Sequence, residues 1–182
     1  MKRLNRNFYY KNSVAVAKKL LGKIIIRKYK GGTLSGKIVE VEAYRGNDDS
    51  GSHAYKKKTK RNSIMFGKPG YAYVYLCYGN HYLLNIVTEK EGQAGAVLIR
   101  AVEPLKGIDK ATNGPGKLTR AFFIDKKFNG EDLIKSKELF IVENNEKEKL
   151  KIKATSRIGI KTGLDKKWRF YIAGNKFVSK IN

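Results

Sequence analysis

Residues 36–44 read Gly-Lys-Ile-Val-Glu-Val-Glu-Ala-Tyr, and this run decides most of the predicted fold. It is rich in β-branched residues, and a similar run, Lys23-Ile24-Ile25-Ile26-Arg27, precedes it across Gly31-Gly32. Two such runs on either side of a glycine pair are typical of a β-hairpin. The chain is therefore predicted to contain an antiparallel sheet built around this hairpin.

The rest of the chain supplies more strands than helices. Strand-like apolar runs occupy residues 71–77, 82–87, 96–102, 139–142, 150–153 and 169–173. Pro104 is expected to end the third of them, because proline cannot donate to a ladder. One short helix is predicted after an N-cap at Ser13 and another over residues 117–124. We expect one α+β domain over residues 1–182, mainly antiparallel, with helices at its margins.

Residues 45–70 differ from these strands and helices. They are polar, contain several glycines and show no periodicity apart from a short apolar run, Ile64-Met65-Phe66. A loop this long inside a small domain is usually functional or disordered.

The charge of the chain indicates a polyanionic partner. Lys and Arg number 39 against 16 Asp and Glu, a formal net charge of +23. Such a field attracts nucleic acid, although codon bias in an AT-rich genome also supplies lysines. A non-catalytic basic nucleic-acid-binding protein is therefore one reading of the sequence.

Cysteine and histidine are scarce, and long apolar runs are absent from the sequence. The chain has 1 Cys and 2 His, too few for an internal disulfide or a four-ligand Cys/His zinc site. No stretch reaches the ~20 apolar residues of a membrane span. We expect a cytoplasmic protein that binds no metal and does not associate with a membrane. We also expect it to be a nucleoid-associated monomer of bacterial type.

Two carboxylates are predicted to share one strand face. Period-2 alternation places Ile38, Glu40, Glu42 and Tyr44 together. Most surface carboxylates only pair with cations. A carboxylate beside a pocket can instead activate water as a general base.

Tyrosines form a second group of candidate functional residues. Tyr71, Tyr73 and Tyr75 fall on one face of their strand, either as a cross-strand ladder or as a stacking platform for bases. Tyr78 breaks this alternation beside Gly79-Asn80, so it is expected near the tip of a hairpin, where a wedge could enter a base stack.

The sequence allows more than one role for each of several other residues. Arg100 at a strand end and Lys117 at a helix start could both face phosphate, although Lys117 is equally an ordinary surface cation. His53 could contact a base, act as an acid or simply be solvated. Asn85 lies among apolar residues, so backbone or a ligand must satisfy its amide.

The ordered set of motifs resembles the alkyladenine DNA glycosylase family, the 3-methyladenine DNA glycosylases of mammalian type. The resemblance rests on residues 38–44, His53, residues 61–70 (Arg-Asn-Ser-Ile-Met-Phe-Gly-Lys-Pro-Gly) and residues 73–79 (Tyr-Val-Tyr-Leu-Cys-Tyr-Gly). Further similar blocks follow in order: Asn85, 98–105, 114–118, 157–159 and 169–171. It covers the chain from the first helix onward, except residues 125–153 and 162–168.

This resemblance implies a curved sheet, a protruding hairpin and an enzyme without a cofactor. The implied enzyme is a monofunctional glycosylase of base excision repair that flips 3-methyladenine, 7-methylguanine or hypoxanthine out of duplex DNA and hydrolyses the N-glycosidic bond. Its partner is double-stranded DNA containing damaged purines. Water activation falls to Glu42, intercalation to Tyr78 and a DNA-backbone contact to Arg100. The base site is implied to comprise Tyr44, His53, Tyr75 and Asn85.

Overall fold

The predicted hairpin around Gly31-Gly32 is present in a computed structural model of the chain, which describes residues 1–145 and 149–179. It consists of β1 (Ile24–Tyr29) and β2 (Gly32–Arg45), paired antiparallel with Tyr29 opposite Gly32. Strand β2 is longer than predicted and extends in both directions from the quoted run. It pairs with three other strands and is the centre of the sheet.

Across the described ranges, the remaining strands continue this one antiparallel sheet. They are β3 (Ala72–Cys77), β4 (His81–Val87), β5 (Gly95–Lys106), β6 (Leu139–Val142), β7 (Ile152–Thr155) and β8 (Arg169–Ile172). The sheet order is β3-β4-β5-β2-β1-β6, and β8 pairs with both β2 and β7. One edge of β2 carries β1 along its first half and β8 along residues 40–42. The sheet therefore divides along β2, and the predicted α+β antiparallel class is confirmed.

Within the described residues, three short α-helices lie against the sheet: α1 (Arg6–Tyr9), α2 (Ser13–Leu20) and α3 (Pro115–Ala121). Helix α2 buries Val16, Ala17 and Leu20 in the main core, which also contains Val41 and Ala43 of β2. Burying each large aliphatic side chain contributes roughly 1.5–3 kcal/mol. The core therefore occupies the face of β2 opposite Glu40 and Glu42.

A second apolar cluster lies beneath the long loop at residues 46–62. Its buried members include Met65 and Tyr73, and Tyr44, Tyr71 and Tyr75 pack against them. The predicted alignment of the three strand tyrosines on one face is confirmed. Residues 46–62 contain no strand, and the apolar run that follows them forms a short 3-10 turn, Ser63–Phe66.

The strict alternation predicted for β2 is wrong at Ile38. Ile38 pairs with Val102 and Glu40 pairs with Ala101, so Val39 is an extra residue on β2. Both Ile38 and Val39 are fully buried in the main core. The bulge explains this pattern, because an extra residue resets which face the following side chains occupy.

Three predicted element boundaries also need correction. Asn12 rather than Ser13 caps α2, because the Asn12 side chain accepts from the Val14 N–H. Helix α3 begins at Pro115, two residues before the predicted start. Strand β5 continues through Pro104. Strand β4 pairs only with residues 96–98 of β5, so a residue without an N–H is tolerated beyond that point.

Candidate active site beside the β3–β4 hairpin

A cavity of about 850 Å³ lies between the long loop, the β3–β4 hairpin, the first turn of α3 and residues 158–160. Its volume is within the range of roughly 300–1,000 Å³ that is usual for small-molecule sites. The structure brings to this cavity every predicted site residue except one: Tyr44, His53, Tyr75, Tyr78, Asn85, Arg100 and Lys117. The exception, Glu42, lies directly behind the cavity wall.

The Glu42 carboxylate is fully buried and held by three neighbours. The Ile158 N–H donates to Oε1 over 2.7 Å, and the Tyr44 hydroxyl donates to Oε2 over 2.8 Å. Arg100 places Nη1 3.2 Å from Oε1. All three neighbours line the cavity. Glu42 is therefore separated from the cavity only by the groups that bind it.

Tyr44 remains a donor to this carboxylate. Burial of the ring, followed by the nearby Glu42 charge, raises the pKa of Tyr44 well above its usual value. A hydroxyl with a raised pKa keeps its proton at neutral pH, so it can donate a hydrogen bond to the carboxylate. The Tyr44 hydroxyl thus fixes one oxygen of Glu42 and leaves the aromatic ring at the cavity.

Glu40 has a different environment from Glu42, although both are fully buried. Its Oε1 lies 3.0 Å from Arg100 Nε and 2.6 Å from Arg169 Nε. Ser179 donates to Glu40 through its backbone N–H and its hydroxyl, each over 2.7 Å. Glu40 does not line the cavity described here. These contacts agree with the structural role that the sequence analysis left open for one of the two carboxylates.

Arg100 occupies a second irregularity in the sheet. Glu40 pairs with Ala101 and Val41 pairs with Ile99, so Arg100 is the extra residue of β5 at this point. Its side chain is nearly buried and forms ion pairs with both carboxylates. The contact of Arg100 with a DNA backbone stays a prediction, since its described ion pairs are all within the protein.

Lys117 is an exposed cation at the cavity rim, in the first turn of α3. A Cβ at the preceding Gly116 would lie 2.8 Å from His81 Cγ, so glycine lets α3 approach β4 at this point. The Lys117 ammonium lies 3.5 Å from Asn113 Oδ1, at the limit of a hydrogen bond. Its predicted contact with phosphate is sterically open and stays a prediction.

Aromatic rings form one wall of the cavity. The His53 and Tyr75 ring centroids are 4.8 Å apart at 68°, and Tyr73 lies 5.1 Å from Tyr75. His53 Nδ1 lies 3.1 Å from the Tyr73 hydroxyl. Burial and then the nearby Arg61 charge lower the pKa of His53. The imidazole is consequently neutral at physiological pH and can donate from one nitrogen while accepting at the other.

Asn85 lines the cavity and is almost fully buried. Its Nδ2 donates to the Tyr73 carbonyl over 3.2 Å, across the β3–β4 pair. The structure therefore gives the amide a backbone partner, one of the two alternatives from the sequence. The same side chain also forms part of the cavity wall.

Tyr78 lies at the tip of the hairpin, as predicted, with 88% of its surface exposed. The turn is centred on Tyr78 and Gly79, which have φ values of 49° and 74°. Two central residues in the left-handed region are typical of a type I′ hairpin turn. Such a φ is unusual for a bulky residue, and strain of this kind often accompanies function.

Sequence reasoning assigned no role to several residues that shape the site. Arg61, in the long loop, places its guanidinium 5.0 Å from the Tyr75 ring centroid. Asp49 and Arg157 form a buried ion pair beside Tyr44. The motif blocks contained Arg61 and Arg157, but only the folded chain shows which groups they contact.

Neither a metal-binding cluster nor a membrane-spanning helix occurs among the described residues. No group of three or more His, Cys, Asp or Glu side chains in residues 1–145 and 149–179 is placed to hold a metal ion. Within the same ranges, every helix is too short or too polar to cross a bilayer.

The sequence matches the family model of methylpurine-DNA glycosylase (MPG) over residues 7–176. A protein of Carboxydothermus hydrogenoformans whose name contains "3-methyladenine DNA glycosylase" is 49% identical over 97% of this chain and 98% of its own length. Proteins of Legionella pneumophila strain Paris and Clostridium tetani with the same words in their names are 47% and 46% identical, over 99% and 98% of this chain and 100% and 99% of their own lengths. The chain therefore belongs to the methylpurine-DNA glycosylase family, whose members are hydrolases that act on DNA.

Proposed function

We propose that this chain is a monofunctional glycosylase that flips a damaged purine from duplex DNA into the cavity and hydrolyses its N-glycosidic bond. The proposed lesions are 3-methyladenine, 7-methylguanine and hypoxanthine. The observation that carries the proposal is a buried carboxylate, Glu42, directly behind an aromatic cavity of about 850 Å³ that opens beside the exposed Tyr78. The charge of +23 supports DNA as the partner.

In the proposed reaction, Glu42 accepts a proton from water as the water oxygen attacks the anomeric carbon of the sugar. The bond between that carbon and the purine nitrogen breaks, and its electron pair leaves with the base. An N-alkylated purine leaves as a neutral molecule, because the bound base is already cationic. Hypoxanthine is a poorer leaving group and requires a proton as it departs. The product is an abasic site in an uncut strand.

Binding of the lesion is proposed to open the path from water to Glu42. Tyr44 and Arg100 stand between this carboxylate and the cavity. A purine that stacks on the Tyr44 ring shifts Arg100 away from Glu42 and admits one water molecule to the carboxylate, while the Tyr44 hydroxyl stays bound to Oε2. Catalytic contacts that are completed only in the substrate complex are common in hydrolases.

The experiment that tests this function uses duplex DNA with one hypoxanthine or one N-alkylated purine at a defined position. The protein is incubated with each duplex, and hot alkali then cleaves the strand at any abasic site. We expect alkali-dependent cleavage at the lesion and no cleavage before alkali. Binding without alkali-labile sites in either duplex would instead identify a non-catalytic basic nucleic-acid-binding protein.

Tyr78→Ala is expected to lower excision from fully paired duplexes by about tenfold to hundredfold, since the wedge offsets a few kcal/mol of unstacking. Mismatched or bulged lesions should lose less activity, because their bases are already partly unstacked. Single-turnover excision from matched and mismatched duplexes measures this difference. Tyr78→Phe, which retains the ring, serves as the control and should keep normal excision. Equal losses on both duplexes would contradict a wedge.

Asn85→Ser and Asn85→Ala are expected to admit purines with a guanine-like exocyclic amino group. Either change shortens a side chain that lines the cavity. Loss of the hydrogen bond to the Tyr73 carbonyl is expected to cost about 1–3 kcal/mol of stability in the alanine variant. Excision rates across a panel of purines measure selectivity, and urea unfolding measures the stability change separately. Unchanged selectivity would limit Asn85 to its backbone contact.

A further inference from the structure

Asp49 and Arg157 form the most enclosed ion pair of those described, and the proposed reaction assigns it no part. Arg157 Nη1 donates to Asp49 Oδ2 over 2.7 Å, and Arg157 Nη2 donates to Asp49 Oδ1 over 2.6 Å. Both side chains are completely buried. A bidentate pair of this geometry fixes the orientation of the guanidinium plane as well as its position.

The pair joins three separate segments of the chain. The Asp49 carboxylate accepts the backbone N–H groups of Arg45 and Gly51, over 3.0 Å and 3.1 Å, and so shapes the loop that carries His53. Arg157 Nη1 also donates to the Ala43 carbonyl on β2 over 2.9 Å. Asp49 thereby fixes the segment around Arg157 against the end of β2.

Both hydrogen-bond donors to Glu42 adjoin Arg157. The next residue in the chain, Ile158, donates its N–H to Glu42 Oε1 over 2.7 Å. The Arg157 guanidinium carbon lies 4.7 Å from the ring centroid of Tyr44, whose hydroxyl donates to Glu42 Oε2. A shift of the guanidinium would disturb the two contacts at once.

The surroundings leave Arg157 little room for another position. A Cβ on Gly51 would lie 2.8 Å from Arg157 Nη2, so the absence of a side chain there allows the loop to pack on the guanidinium. Trp168 covers the guanidinium as well, with its ring 5.4 Å from the guanidinium carbon. A buried ion pair adds little net stability over an apolar pair of the same volume, so stability alone does not account for it.

We propose that Asp49 and Arg157 are a positioning pair that holds the Ile158 N–H and the Tyr44 hydroxyl on the Glu42 carboxylate. The inference rests on the proposed role of Glu42 in water activation. Neither member of the pair touches the lesion. Their effect on the reaction passes through Glu42, which makes the proposal testable by a double-mutant cycle.

The cycle combines Asp49→Asn with Glu42→Gln and measures single-turnover excision of an N-alkylated purine, whose labile bond leaves a measurable residual rate. Asp49→Asn alone is expected to lower the rate about tenfold to hundredfold. In the Glu42→Gln background the same change should lower it by less than about threefold, since residues that act as one unit are strongly non-additive. Affinity for a duplex with an uncleavable tetrahydrofuran abasic site should stay within about threefold throughout, because the DNA-contacting surface is unchanged.

Controls separate positioning from loss of folded protein. Titration with the tetrahydrofuran duplex counts the binding-competent molecules, and all rates refer to that count. Arg157→Lys keeps the charge but not the bidentate geometry, so it provides a second variant if Asp49→Asn folds poorly. Asp132→Asn breaks the Arg6–Asp132 ion pair outside the cavity and should leave excision unchanged.

Two outcomes would overturn the proposal, and they are distinguishable. If Asp49→Asn and Arg157→Lys lower excision by the same factor with and without Glu42, the pair acts independently of the carboxylate. If Glu42→Gln alone leaves excision unchanged, the proposed function fails first and the inference fails with it. A rate loss confined to the background that retains Glu42 supports positioning.

Discussion

Glu42→Gln is expected to lower single-turnover excision by ~10²-fold or more, the scale of general acid–base contributions. The amide keeps the shape of the side chain but cannot accept a proton from water. Affinity for lesion-containing duplex should persist or rise, because the change removes one negative charge facing a polyanion. Excision and binding are measured on the same hypoxanthine duplex with enzyme in excess.

The contacts of Glu42 make this substitution a mild one for the fold. A glutamine carbonyl oxygen can still accept the Ile158 N–H, which now donates over 2.7 Å. The Tyr44 hydroxyl can accept from the new amide in place of donating to the carboxylate. Arg100 keeps its second ion pair, with Glu40, at 3.0 Å. The loss of rate should therefore exceed any loss of folded protein.

Glu103→Gln is the matched control for the change in charge. Glu103 is a half-buried carboxylate on β5 that pairs with Lys37 and lies outside the cavity. Its substitution should leave excision unchanged. An equal loss of excision in Glu103→Gln would assign the effect to the change in charge and not to a general base.

Local patterns predicted the elements that carry the site. The β-branched runs beside Gly31-Gly32 predicted the central hairpin, and the alternation of tyrosines predicted that Tyr71, Tyr73 and Tyr75 share one strand face. The break in that alternation placed Tyr78 at a hairpin tip, where the structure has it. Each of these signals depends on neighbours within a few residues, which is the range over which period-2 patterns are informative.

Contacts between distant segments could not be predicted in this way. The hydrogen bond from the Ile158 N–H to Glu42 joins residues that are 116 positions apart in the sequence. The ion pair between Asp49 and Arg157 joins residues that are 108 positions apart. No periodicity relates such positions. Resemblance to a family indicated that residues 157–159 matter, but it did not reveal that they bind a carboxylate on β2.

The sheet irregularities were also beyond the sequence pattern. Val39 is an extra residue on β2 and Arg100 an extra residue on β5. A bulge carries no reliable residue signature here, since neither position is glycine. The second bulge nevertheless determines the electrostatics of the site, because Arg100 contacts both Glu40 and Glu42 from it. The predicted phosphate contact of Arg100 did not anticipate this pairing.

The bulge at Arg100 and the ion pairs around it bring two carboxylates and two guanidiniums into one buried cluster: Glu40, Glu42, Arg100 and Arg169. Two like-charged carboxylates so close would otherwise repel each other. The equal numbers of positive and negative groups in the cluster offset this repulsion. Glu40 anchors the arginine that also faces Glu42 and is assigned no proton in the proposed reaction.

Glu40→Gln is accordingly expected to destabilise the fold by about 3–5 kcal/mol, the usual cost of leaving buried charges without their partner. The oxygen that Arg100 and Arg169 share, at 3.0 Å and 2.6 Å, would lose its negative charge. Such a loss is a large fraction of the roughly 5–15 kcal/mol by which domains are stable. Urea unfolding, extrapolated to water, measures it.

Comparing excision in Glu40→Gln with excision in Glu42→Gln decides which glutamate is the general base. Excision per folded molecule should fall at least about tenfold less in Glu40→Gln than in Glu42→Gln, because only Glu42 is assigned a proton in the reaction. Ser179→Ala provides a graded control, since it removes one hydroxyl donor to the Glu40 carboxylate and should cost about 1.5–3 kcal/mol. If Glu40→Gln instead abolishes excision in a stably folded protein while Glu42→Gln does not, the general base is Glu40, two residues earlier on the same strand.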